Sequence, residues 1–145
     1  MLLGTQHVGG DGVLRIGGCS TLELAAEHGT PCYLYDEAEI RRMCRAYVDA
    51  FEARWPRIDV SYACKAFTAP AMMELALSEG LGLEVVSVGE MSMALHSGCP
   101  PELITYHGTY KTDADLDFAV EHDCGAIVVD NLDEIGRIAA AAVRA

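Results

Sequence analysis

Residues 58–66, IDVSYACKA, place one long amine among small neighbours. Side chains alternate across a β-strand. A strand from Ile58 to Ala66 therefore puts Ile58, Val60, Tyr62, Cys64 and Ala66 on one face, and Asp59, Ser61, Ala63 and Lys65 on the other. The first face suits packing against helices. The second is small and polar, and it ends on Lys65. Bordered by Tyr62, Ala63, Cys64, Ala66 and Phe67, this lysine is expected to be partly desolvated. Desolvation lowers an amine's pKa and raises its nucleophilic fraction, as condensation with a carbonyl compound requires. Taken alone, a lysine at a strand end more often snorkels to water. Three further polar residues stand near strand ends. Glu84 shares its face with Gly82 and Val86. Glu90 closes Ser87-Val88-Gly89-Glu90, a capping-box pattern that opens a helix. His107 ends a strand and fits either a structural or a site role.

The elements that must position these residues alternate. After a glycine-rich start, Val13–Ile16 reads as a strand closed by Gly17-Gly18. Ser20, with Glu23, caps a helix over Thr21–His28, ended by Gly29 and blocked by Pro31. Cys32–Tyr35 reads as a second short strand. Asp36, with Glu39, caps a helix whose apolar positions Ile40, Met43, Cys44, Tyr47, Val48 and Phe51 keep helical spacing. One unit then repeats. Strands over Ile58–Ala66, Leu81–Ser87, Leu103–Gly108 and Ala126–Asp130 are each followed by a helix, starting at about Pro70, Gly89, Asp113 and Leu132. Strand starts recur roughly every 20 to 25 residues, the period of a parallel α/β fold. The predicted class is α/β, a partial (β/α)8 barrel of about four units. Residues 1–35 are expected to form a lead-in and 36–145 the first half of the barrel. A complete barrel takes about 250 residues, so the 145 residues here read as an N-terminal fragment with little or no activity alone.

Bulk properties narrow the partners. A net charge of −12 with dispersed basic residues argues against nucleic acid or an anionic membrane surface. No run approaches the roughly 20 apolar residues of a membrane span, and the first residues lack the charged and apolar regions of a secretory signal. The six cysteines are scattered singly, without metal-ligand spacing, which fits a reducing cytoplasm and no bound metal.

Tyr62–Gly80, YACKAFTAPAMMELALSEG, resembles the pyridoxal-lysine signature of the ornithine/diaminopimelate/arginine decarboxylases, the fold type III pyridoxal-phosphate enzymes. That signature has an aromatic, a small residue, any residue and then the lysine, followed by spaced aliphatic positions matched by Met72, Met73, Ala76 and Gly80. The lead-in TPCYLYDEAEIR, the segment LGLEVVSVGEMSMALHSGCPPELITYHGTYKT and the run IVVDNLDEI are similar to the diaminopimelate branch. The resemblance runs from about Gly12 to the last residue.

The resemblance implies pyridoxal 5'-phosphate as cofactor, held by Lys65, with Ala63 leaving room for the ring. It sets Glu84 where the family often has aspartate, and His107 near the cofactor in a loop where Thr109 and Tyr110 replace two asparagines. Val88 replaces a usual glycine. The implied reaction is decarboxylation of meso-2,6-diaminopimelate to L-lysine, a small amino-acid substrate, by a homodimer. An ornithine- or arginine-type decarboxylase of the same fold and a non-catalytic pyridoxal-phosphate-binding protein are the alternatives. The family's second barrel half, glycine-rich phosphate loop and C-terminal β-domain have no counterpart in these residues.

Overall fold

The computed structural model describes residues 2–145 and divides into two compact units, residues 1–53 and 54–145.

The first unit is built on a small antiparallel sheet. Strand β1 (His7–Val8) pairs with β2 (Leu14–Ile16), and β2 pairs with β3 (Cys19–Ser20). Gly17 and Gly18 join β2 to β3 with φ of +60° and +80°. A two-residue hairpin turn with both central φ positive suits glycine. Helix α1 (Thr21–His28) starts where the Ser20 hydroxyl accepts the Glu23 amide, and it ends at Gly29. Helix α2 (Glu37–Glu52) starts where Asp36 accepts the Glu39 amide. The second Asp36 oxygen takes both the amide and the hydroxyl of Thr5, at 2.8 and 2.7 Å, tying the start of the chain to α2. The strand expected over Cys32–Tyr35 is not formed. Its residues have strand propensity, but a strand needs a neighbour for its ladder, and central β2 already has one on each side. Tyr33 is 91% exposed.

The second unit is the repeating βα structure expected from the sequence. Strands β4 (Ser61–Ala63), β5 (Gly82–Val85), β6 (Ile104–Tyr106) and β7 (Ala126–Ile127) form a parallel sheet in sequential order. Helices α3 (Pro70–Ser78), α4 (Val88–His96), α5 (Asp113–Glu121) and α6 (Leu132–Arg144) follow them in turn. Alternation separates the two faces of the sheet. Leu83, Val85, Ile104 and Tyr106 are buried, as are Met73 and Ala76 of α3, Met91 and Ala94 of α4, and Leu116 and Ala119 of α5. Each large apolar side chain so buried contributes about 1.5–3 kcal/mol. The opposite row, in register across the sheet, is Ala63, Glu84, Thr105 and Ala126.

Two helix starts share one device. In α4, the Ser87 hydroxyl accepts the Glu90 amide at 3.1 Å while the Glu90 carboxylate takes the Val86 amide at 2.8 Å. In α6, Asn131 accepts the Glu134 amide at 3.1 Å while the Glu134 carboxylate takes the Asp130 amide at 3.0 Å. Each glutamate thus ties the end of the preceding strand segment to the first turn of its helix and satisfies an amide there.

All four expected parallel strands are shorter than predicted, and the first ends on a turn. The strand predicted over Ile58–Ala66 pairs only at Ser61–Ala63, and Cys64–Ala66 coil into a 3-10 turn. The Cys64 carbonyl explains the turn: it accepts the Phe67 amide at 3.1 Å and the Thr68 hydroxyl at 2.8 Å. Those bonds pull the chain out of the ladder one residue before Lys65.

Candidate functional site

Because strand alternation stops at Ala63, Lys65 reaches its position through the turn and not as the last member of a strand face. The turn carries it to the C-terminal end of the sheet. There its Nζ lies 3.6 Å from Glu84 Oε1. His107 directly follows β6, and its amide continues the ladder by donating to the Val85 carbonyl at 2.8 Å. Its Nδ1 meets the same Glu84 Oε1 at 3.2 Å. A carboxylate only accepts, so Nδ1 carries the proton in that bond, and Nε2 is the imidazole's remaining polar atom.

Register explains the convergence. Ala63, Glu84 and Thr105 stand side by side. His107 is two residues beyond Thr105 along the strand direction, roughly 6–7 Å, whereas Lys65 is two residues beyond Ala63 through the 3-10 turn. Glu84 rises from the lower level between two small neighbours and reaches both. The longer glutamate side chain, at a position where aspartate is frequent in the resembled family, is therefore long enough to bridge them. Ala63 lies beneath, and its methyl keeps the row low beside Glu84.

The partly desolvated environment expected for Lys65 is not what the fold provides. The Lys65 side chain is 58% exposed, because the 3-10 turn lifts it above the apolar layer. Its neighbour Cys64 is the buried member of the turn: desolvation pushes that thiol up to about 12, with the Glu90 carboxylate adding to the effect. Lys65 is thus reachable from solvent and held by a counter-charge, while the adjacent sulfur is kept protonated.

Glu90 does not join the cluster through Lys65. Its carboxylate takes the Val86 amide, and the Thr68 hydroxyl lies 3.2 Å from its other oxygen. Since Thr68 also binds the Cys64 carbonyl, Glu90 caps α4 and braces the Lys65 turn against the end of β5. Tyr110, in the loop after His107, is 84% exposed and builds no part of the cluster.

The sequence reading missed Lys111 and Glu134. They form an ion pair at 3.1 Å with side-chain exposures of 0% and 1%. Burial alone would raise the Glu134 carboxyl. The Asp130 amide and the Lys111 ammonium outweigh it and hold the carboxyl below its ordinary range. The Asn131-x-x-Glu134 spacing is a capping signature that could have flagged the glutamate; no local signal joins it to Lys111.

The cluster offers an accessible amine, a carboxylate counter-charge beside it, and an imidazole. That donor set fits the aldehyde end of pyridoxal phosphate. Among the described residues, no group of three or more His, Cys, Asp or Glu side chains is placed to hold a metal ion, and no helix is long and apolar enough to cross a membrane.

Residues 37–145 match the family model described as the pyridoxal binding domain of pyridoxal-dependent decarboxylases. The chain belongs to that family. It is similar to diaminopimelate decarboxylase of Bacillus methanolicus, 47% identical over 135 residues that cover 93% of this chain and 31% of that protein. It is also similar to diaminopimelate decarboxylase of Bacillus subtilis strain 168, 46% identical over 92% of this chain and 30% of that protein. Among solved structures, diaminopimelate decarboxylase from M. jannaschii in co-complex with L-lysine superposes with a TM-score of 0.86 at 29% identity. That likeness covers 97% of this chain and 33% of the other. The chain spans about a third of the length of the curated relatives it matches, and its fold is part of an α/β barrel.

Proposed function

We propose that this chain is the cofactor-binding part of a decarboxylase that converts meso-2,6-diaminopimelate to L-lysine, with Lys65 as the amine that holds pyridoxal phosphate. The observation that carries the reading is the meeting of Lys65, Glu84 and His107 at the C-terminal end of a parallel sheet, the end at which barrel active sites lie. The names of the relatives support the substrate, and the L-lysine in the M. jannaschii structure matches the product. In this reading residues 1–35 form the lead-in, residues 36–145 form the first half of the barrel, and the whole enzyme is a cytoplasmic homodimer.

Pyridoxal phosphate, when bound, supplies the electron sink for the pair left by departing carbon dioxide. The chain's own residues prepare the site. Lys65 presents an amine open to solvent. Glu84 stands beside that amine as its counter-charge, and through the same oxygen it orients the His107 ring. With Nδ1 on Glu84, His107 keeps Nε2 as a group able to accept or donate a proton. Ala63 keeps the level below Lys65 uncrowded.

Incubation with pyridoxal phosphate, borohydride reduction and peptide mapping tests the cofactor assignment. A reduced adduct on Lys65 is expected; an adduct confined to other lysines, or none, overturns it. Carbon dioxide release from meso-diaminopimelate, set against ornithine and arginine, tests the substrate in a chain of the relatives' length. Preference for ornithine or arginine overturns that part.

A further inference from the structure

We infer that helix α6 clamps the loop between β6 and α5 through the buried Lys111–Glu134 pair, making both of them positioning residues for His107. The inference rests on the reading of Lys65 and its neighbours as the cofactor site. A buried ion pair is costly to desolvate, and an apolar pair of similar volume would fill the same space at least as well. The pair therefore calls for a reason beyond packing, and its third partner supplies one. Lys111 Nζ also donates to the Gly108 carbonyl at 2.6 Å, and Gly108 is the residue next to His107.

That loop needs holding. Gly108 has φ of +138°, a conformation open to glycine and strained for other residues, and a Cβ there would meet the Val86 carbonyl at 3.4 Å. Beyond it, Tyr110 projects into solvent. Helix α6 grips the loop twice. Glu134 takes the Lys111 side chain, and one turn later Arg137 donates to the Lys111 carbonyl at 2.6 Å and to Asp113 at 2.7 Å. Glu134 is itself fixed by the Asp130 amide. A chain of contacts thus runs from the start of α6 through Lys111 to the Gly108 carbonyl, and so to the backbone that sets His107 on Glu84.

Two paired substitutions in the full chain separate anchoring from packing. Lys111→Met with Glu134→Leu removes the charges and the donor. Lys111→Gln with Glu134→Gln removes the charges but keeps a donor for Gly108 and an acceptor for Asp130. The apolar pair is expected to unfold cooperatively like the unsubstituted chain, yet to exchange the amides of residues 107–110 about five- to tenfold faster, the factor one hydrogen bond is worth. It should also trap pyridoxal phosphate on Lys65 more slowly under borohydride. The polar pair should restore both. Wild-type exchange and trapping in the apolar pair, or no rescue by the polar pair, overturns the inference.

If neither pair folds, nuclear magnetic resonance of the unsubstituted chain decides. A slowly exchanging Lys111 ammonium coupled to the Gly108 carbonyl carbon supports the clamp, and a rapidly exchanging one overturns it. Failure of the unsubstituted chain to label Lys65 would refute the cofactor reading instead, with loop exchange still judging the clamp.

Discussion

Lys65 Nζ lies 3.6 Å from Glu84 Oε1, although a complete helix separates the two residues in sequence. Their closeness follows from the parallel register that sets Ala63 beside Glu84 and from the turn that folds Lys65 back over that row. The pair is partly exposed, and such a pair is worth up to about 1 kcal/mol.

Replacing Glu84 with glutamine should therefore have a modest effect. Glu84→Gln keeps an acceptor for His107 Nδ1 but removes the counter-charge to the cation at position 65. Pyridoxal phosphate affinity should fall roughly two- to fivefold, the factor that follows from an exposed pair of that size. Fluorescence titration with the cofactor measures it; a loss of a hundredfold or more would mean the carboxylate does more than balance charge.

Cysteine reactivity should sort by burial. Cys19 and Cys32 are exposed, whereas Cys44, Cys64 and Cys99 are buried. Desolvation pushes the Cys64 thiol up to about 12 and that of Cys99 to about 11, so neither supplies thiolate near neutral pH. Iodoacetamide at pH 8, read by peptide mass, should label Cys19 and Cys32 within minutes and leave Cys64 and Cys99 unmodified until urea unfolds the chain.

The fold should lose stability in alkali. Desolvation raises the Tyr106 phenol to about 12 from an ordinary value near 10. The unfolded chain therefore gives up this proton first. The stabilising contribution is whole below about pH 10 and declines as the pH rises toward 12. Urea midpoints measured from pH 8 to 11.5 should fall over that upper range, and Tyr106→Phe should flatten its part of the decline.

Glu134 carries the opposite sign. Its folded carboxyl is held below the ordinary carboxylate range, so its contribution is present above that range and is lost as the pH drops through the depressed value. Lys111→Met alone, which strands a buried carboxylate, should cost about 3–5 kcal/mol in urea unfolding at pH 7. Adding Glu134→Leu should recover most of that loss and weaken the acid dependence.

The fold is legible in the sequence wherever local physics decides. The helix starts at Ser20, Asp36 and Ser87 follow from a capping side chain placed three residues before its amide, and the four βα units follow from apolar spacing. The family signature around Lys65 is also legible, and so is its place just past the first parallel strand. What escaped is tertiary. The 3-10 turn at Cys64–Ala66 exists because the Thr68 hydroxyl and the Phe67 amide share one carbonyl, which no strand pattern encodes. The strand at Val13–Ile16 is legible, but its partners β1 and β3 have two residues each, too short for periodicity to register. Cys32–Tyr35 has the composition of a strand and lacks the ladder. Lys111 and Glu134 are a full βα unit apart, so their pairing has no sequence spacing to betray it.

The glutamates that open α4 and α6 each hold a main-chain amide as well as a side chain, and the amide contact shapes which substitutions the chain can absorb. Position 86 holds valine and position 130 holds aspartate, yet each donates the same proton. Saturation mutagenesis should accordingly find both sites permissive to almost every residue with proline as the forbidden letter, while positions 90 and 134 admit little besides glutamate and glutamine. Variation can thus drift through the rim of the sheet without unfastening the joints beneath it.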